Sequence, residues 1–245
     1  MIIPIFYLVA IAGAELVTAL VNPLGGIAMH IVIMLALIVH ASLITRDLRR
    51  ELYLTLALAP MIRLLSLSMP LGNFPQIYWY AIIAVPLSLA IYVVARRLGY
   101  TRWEIGINLN QWPFQILIAL TGIPLGIVEY YILKPNPLVS SFAWQGLLLP
   151  ALILIVGTGF IEELCFRGVI QHSAEAAIGR WGWIYVAVLF SIMHIGYLSI
   201  LDLAFVFGVG LFFGIMVDKT KSILGVTLSH GIANVVLYLI VPFFL

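Results

Sequence analysis

The chain has 245 residues, 64% hydrophobic and 9% charged, with a formal net charge of +2. Soluble domains approach a quarter charged residues, so this composition excludes a soluble globular protein and identifies a membrane protein. The small positive excess is explained by basic loops on one side of a bilayer and gives no reason to invoke nucleic acid as a partner.

Apolar stretches of about 17 to 25 residues, the length that crosses roughly 30 Å of hydrocarbon, fill nearly the whole sequence. They predict an all-α, polytopic transmembrane helix bundle of about eight to nine spans. In chain order the spans are read at 3–22, 24–45, 52–70, 76–95, 113–133, 145–172, 181–198, 203–217 and 222–242, the eighth being short. Met1 to Tyr7 carries no charge. The basic region of a cleaved signal peptide is thus missing, and 3–22 is read as a span.

Basic residues mark cytoplasmic loops. Arg46, Arg49 and Arg50 follow span two, Arg96, Arg97 and Arg102 follow span four, Arg180 follows span six, and Lys219 and Lys221 follow span eight. All fall on one side of the nine-span topology, and only Lys134 falls on the other. The amino terminus is therefore expected in the cytoplasm. Short loops and small size point to a prokaryotic plasma membrane. The single Cys165 excludes an intramolecular disulfide.

The polar interval 96–112, with Tyr100, Trp103 and Trp112 suited to the headgroup level, reads as a cytoplasmic interfacial linker. It separates an accessory four-span unit, 1–95, from a five-span core, 113–245. In the accessory unit Glu15 and Arg63 each lie about 17 Å from the cytoplasmic end of their span, counting ~1.5 Å per residue. Isolated charges are costly in lipid, so the two are expected to pair and fix spans one and three. His30 and His40 show no partner in sequence and are read as structural.

Span six reads Gly157-Thr158-Gly159-Phe160-Ile161-Glu162-Glu163-Leu164-Cys165-Phe166-Arg167-Gly168, two adjacent carboxylates in an apolar helix. Intramembrane charges are functional by default. On a helix Glu163 and Arg167 share a face and neutralise each other, whereas Glu162 points about 100° away. Glu163 with Arg167 is read as a structural pair. Glu162, desolvated and unpaired, suits a general base. Span seven adds Phe190 and His194, and span nine adds His230 and Asn234, each pair on one helical face. At ~1.5 Å per residue Glu162, His194, His230 and Asn234 lie about 15, 20, 12 and 18 Å deep, one layer near the midplane. The glycines of these spans are accounted for by close helix packing.

Three motifs in order, Glu162-Glu163-x-x-x-Arg167, Phe190-x-x-x-His194 and His230-x-x-x-Asn234, resemble those of the CPBP (CAAX protease and bacteriocin-processing, ABI or Rce1-like) family of intramembrane peptidases. Gly168 and Gly231 match the motif surroundings. The resemblance covers roughly 140–240 and leaves spans one to four outside. It implies hydrolysis of a peptide bond in a membrane-associated or lipidated peptide or protein. By similarity Glu162 would activate water, His194 would position it, and His230 with Asn234 would stabilise the oxyanion, while Glu163, Arg167 and Phe190 support them. No cofactor is favoured, since no His-Glu-x-x-His signature occurs. Zinc held by Glu162, His194 and His230 is the alternative. Two other functions compete: a transporter or proton-relay protein, disfavoured because the polar residues form one cluster and not a track across the membrane, and a non-catalytic immunity or scaffold protein.

Overall fold

The computed structural model describes residues 2–44 and 48–245, and Arg46, expected in a cytoplasmic loop, lies outside the described residues. The described residues are helical, without strands. Among them eight segments are long and apolar enough to cross a membrane. They are α1 (Ile2–Leu20), α2 (Pro23–Leu43), α3 (Leu48–Ser68), α4 (Gln76–Leu98), α5 (Trp112–Leu133), the long segment Trp144–Tyr197, α8 (Ile200–Thr220) and α9 (Leu224–Phe243). The long segment contains two helices, α6 over 144–178 and α7 (Gly182–Ile192), folded back at Gly179, whose φ is +65°. Among the described residues nine helical stretches therefore follow the chain order of the nine expected spans, the short α7 being part of one of the eight spanning segments, and the chain is a multi-pass membrane protein.

Several boundaries differ from expectation, and two of them bear on the site. Span eight is not short: α8 begins three residues earlier than expected, at Ile200, because Ser199 caps it by accepting the Asp202 amide at 3.2 Å. Asp202, which ended the apolar run in sequence, lies inside the helix and is fully buried. Helix α7 stops at Ile192, short of the expected 198, and His194 lies past its end, before a 3₁₀ turn at Ile195–Tyr197.

Helix α9 is flanked by α5 and α6, α7 packs against α8, and α1, α2 and α3 pack in succession. Backbones of α6 and α9 touch where glycine permits it. A Cβ on Gly159 would lie 2.7 Å from the Thr227 carbonyl oxygen, and one on Gly231 would lie 2.7 Å from Ile155 Cα. The first four helices are fastened to the rest: Tyr185 on α7 donates to the Pro4 carbonyl at 3.0 Å, and Thr55 on α3 bonds Ser173 on α6 at 2.6 Å.

The basic linkers meet at one end of the bundle. Tyr100 donates to Glu51 at 2.8 Å and its ring meets His172 at 4.7 Å. Asn108 and Asn110 donate to the Lys221 and Thr220 carbonyls at 2.7 and 2.8 Å. The 96–112 interval is thus docked on the α8–α9 turn as well as presenting exposed Trp103 and Trp112. Large apolar side chains such as Val9, Leu35, Val85, Leu117 and Leu148 are exposed along the outer helix faces, as a lipid environment requires.

Candidate active site

Helix α6 is not the regular helix assumed from spacing. Glu162 and Glu163 occupy a short α-helical turn, Ile161–Glu163, between two π-helical stretches, Leu154–Phe160 and Leu164–Ile170. Such wide turns recur at functional sites. The two glutamates nevertheless take the different positions that their spacing predicts.

Glu163 is fully buried, and its Oε1 accepts Arg167 NH1 at 3.0 Å. The same oxygen meets His230 Nδ1 at 2.8 Å. A carboxylate can only accept, so His230 carries its proton on Nδ1 and has Nε2 as its second ring nitrogen. Glu163 is therefore more than the partner of Arg167: it joins α6 to α9 and orients His230. Arg167, 2% exposed, is boxed by rings, its guanidinium carbon 4.2 Å from the Phe190 centroid and 5.6 Å from that of Phe213. Those π faces are favourable neighbours for a cation out of water. They also explain why Phe190 belongs with the charged residues, since its ring stands 4.9 Å from His194 and 6.0 Å from His230.

Glu162 lines a cavity of about 80 Å³ together with His194, His230 and Asn234. The four residues assigned to catalysis from sequence are thus brought to one space. Among the described residues Glu162 makes no hydrogen bond or ion pair, which leaves both its oxygens for the cavity. His194 Nδ1 donates to the Phe190 carbonyl at 2.9 Å, so in the neutral ring Nε2 is an acceptor. Thr158 donates its hydroxyl to the Leu154 carbonyl and accepts Asn234 Nδ2 at 2.8 Å. That bond orients the Asn234 amide and uses one of its two N–H groups.

Several cavity residues were not assigned from sequence: Tyr80 on α4, Glu129 on α5, Thr158, Tyr197 and Tyr238. Tyr197 and Tyr238 hydroxyls are 3.2 Å apart. Glu129 is an intramembrane carboxylate, a signal visible in sequence. Tyr80 and Thr158 carry no such signal.

The accessory helices contain the Glu15–Arg63 pair read from depth, with Arg63 Nε donating to Glu15 Oε1 at 2.8 Å. His30 does have a neighbour, Glu15, its Nε2 lying 3.4 Å from Oε1. His40 also has one: Tyr7 lies 3.0 Å from Nδ1, and the ring stacks on Tyr53 at 4.3 Å. Polar side chains also extend below the cluster, since Gln171, on the Glu163–Arg167 face, donates to Glu175 at 2.7 Å. The polar set is therefore larger than one cluster.

Among the described residues no group of three His, Cys, Asp and Glu side chains comes together so as to hold a metal ion.

No curated protein and no solved structure matches the chain. Residues 144–236 match the family model described as "Rce1-like: Type II CAAX prenyl endopeptidase Rce1-like". Every motif residue of the cavity lies within that stretch, while Tyr80, Glu129 and Tyr238 lie outside it. Residues 144–236, which hold all three motifs, are thus similar to an Rce1-like domain, and they lie within a multi-pass membrane protein.

Proposed function

We propose that this protein is an intramembrane endopeptidase that cleaves a membrane-associated, lipidated peptide or protein with a glutamate-activated water. The observation that carries the reading is the cavity in which an unengaged carboxylate, Glu162, faces the same space as His194 Nε2, an acceptor by its Nδ1 bond. Two acceptors suit one water, each taking one of its hydrogens and leaving a lone pair for the carbonyl carbon.

In this reading Glu162 takes the proton as the water oxygen attacks, and later returns it to the departing amine as the C–N bond breaks. The second Asn234 N–H and His230 Nε2–H donate to the carbonyl oxygen as it becomes an oxyanion. An Nε2–H donor requires the doubly protonated His230 ring, and the Glu163 carboxylate supplies its counter-charge at 2.8 Å. Loss of one such donor typically costs about 10² to 10³ in rate. The reaction is proposed to need no metal. The basic linkers at one end support a cytoplasmic amino terminus, in a membrane proposed to be a prokaryotic plasma membrane.

The test is cleavage of an internally quenched peptide ending in a prenylated CAAX sequence by purified protein in lipid nanodiscs. Glu162→Gln is expected to abolish cleavage and leave thermal stability within about 1 kcal/mol, because no protein bond is lost. Full cleavage by that variant refutes the base assignment. Activity that disappears with a chelator and returns only with zinc refutes the metal-free mechanism.

A further inference from the structure

Arg63 reaches beyond the ion pair that neutralises it. Its Nε donates to Glu15 on α1 at 2.8 Å, and its NH2 donates to the Met193 carbonyl at 2.7 Å. Met193 is the residue after α7 and immediately precedes His194, whose backbone lies at φ −97° and ψ 2°. The last carbonyls of a helix have no partner within it and carry the negative end of its dipole. A guanidinium is suited to that position, and here it comes from another helix.

The arrangement couples two parts of the chain. Glu15 is 1% exposed, takes Arg63 on one side and faces His30 of α2 at 3.4 Å on the other. Three helices of the first half thereby hold one planar cation whose second arm ends on the backbone that carries His194. Among the described residues the His194 ring makes one hydrogen bond, Nδ1 to the Phe190 carbonyl at 2.9 Å, beside its contacts with the Phe190 and Tyr197 rings at 4.9 and 5.8 Å. That hydrogen bond belongs to the last turn of α7, so the ring depends on where α7 stops. Arg63 also lines a second cavity, of about 220 Å³, whose wall includes both Glu162 and His194.

We infer that Arg63 is a positioning residue for His194, held by Glu15 and acting through the Met193 carbonyl, so that α1–α3, outside the matched residues 144–236, form part of the active-site framework. The inference rests on His194 being a site residue, as proposed above. A lysine in place of Arg63 is a point charge without the fork, able to reach one of the two acceptors but not to bridge them in the same way.

The test uses the full chain, labelled with ¹⁵N-histidine, in lipid nanodiscs. The His194 ring signal is assigned by its loss in His194→Gln. Wild type is expected to show one neutral Nδ1–H tautomer at His194. Arg63→Met leaves Glu15 buried without its cation, so the decisive variant is the double substitution Glu15→Gln with Arg63→Met, which removes both charges together. If Arg63 only neutralises Glu15, the double variant shows the wild-type His194 signal and wild-type turnover, and the inference is overturned. If Arg63 positions His194, the ring signal shifts or splits between tautomers while those of His172 and His230 stay in place. The turnover number for the prenylated peptide then falls about 10²-fold, the order expected for a displacement near 1 Å, with KM little changed. Arg63→Lys gives an intermediate shift. Absence of peptide cleavage in the wild type counts against the peptidase reading alone, since the His194 signal decides the positioning role without it.

Discussion

Replacing Glu163 separates two functions that meet on one oxygen. Its Oε1 takes Arg167 at 3.0 Å and His230 at 2.8 Å, with Glu163 and the Arg167 guanidinium both removed from solvent. Glu163→Ala strands the Arg167 charge, and breaking a buried pair in this way costs about 3 to 5 kcal/mol. The Phe190 face, 4.2 Å from the guanidinium, is present in both proteins and leaves that difference unchanged. A loss of about 3 to 5 kcal/mol is expected. Combining Glu163→Gln with Arg167→Met removes both charges and retains most of the volume, so stability returns to within about 1 kcal/mol of wild type. Cleavage does not return, because the carboxylate that opposes His230 Nδ1 is still missing. Thermal unfolding in nanodiscs and hydrolysis of the prenylated peptide read the two effects separately. Recovery of both stability and cleavage in the double variant would refute the orienting role of Glu163. An Ala variant as stable as wild type would refute the buried-pair reasoning.

Two further predictions concern local hydrogen bonds. Thr158→Val keeps side-chain shape but removes the acceptor of Asn234 Nδ2, a 2.8 Å bond. Turnover is expected to fall at least about tenfold with little change in KM, consistent with the measured worth of fixed oxyanion donors, and Thr158→Ser should restore it. Steady-state kinetics on the prenylated peptide checks this. In the 96–112 linker, the Thr101 amide and hydroxyl donate to Glu104 Oε2 at 2.8 and 2.7 Å, and the Glu104 amide donates back to Thr101 Oγ1 at 3.3 Å. This reciprocal turn holds the Glu104 carboxyl below the usual glutamate range, chiefly through the backbone bond. A folded pKa below the unfolded one means that the carboxylate's contribution is present above the unfolded value and is lost as pH falls through the folded one. Carboxyl ¹³C titration should therefore place Glu104 below the other exposed glutamate-type reference, and Thr101→Ala should move it back up.

Much of the site was legible because it is local. The Glu163–Arg167 pair is one helical turn of a single segment, and the Phe190–His194 link spans the same interval, so each survives the π-helical distortion of α6 and the early end of α7. Glu15 with Arg63 was legible for a different reason, since two lone charges at equal depth in lipid have few other partners. The polar neighbours of His30 and His40 were not, because aromatic and histidine contacts leave no spacing pattern. Asp202 misled the reading of α8, as a charged residue ordinarily ends a span, yet Ser199 starts the helix before it.

Composition and hydropathy alone determined that this chain crosses a membrane many times as helices, because apolar backbone in lipid must satisfy its own hydrogen bonds. The order of three motifs likewise pointed to the side chains proposed to form the site. Which of them touch depended on helix rotation and axial offset, quantities set by the approach of α6 to α9 at Gly159 and Gly231. Only that packing decided that Glu163 holds His230, that Thr158 turns Asn234, and that Glu162 is left facing the cavity. It also decided that an arginine from the first half of the chain ends on the carbonyl before His194, a contact between residues 130 positions apart that no periodicity encodes.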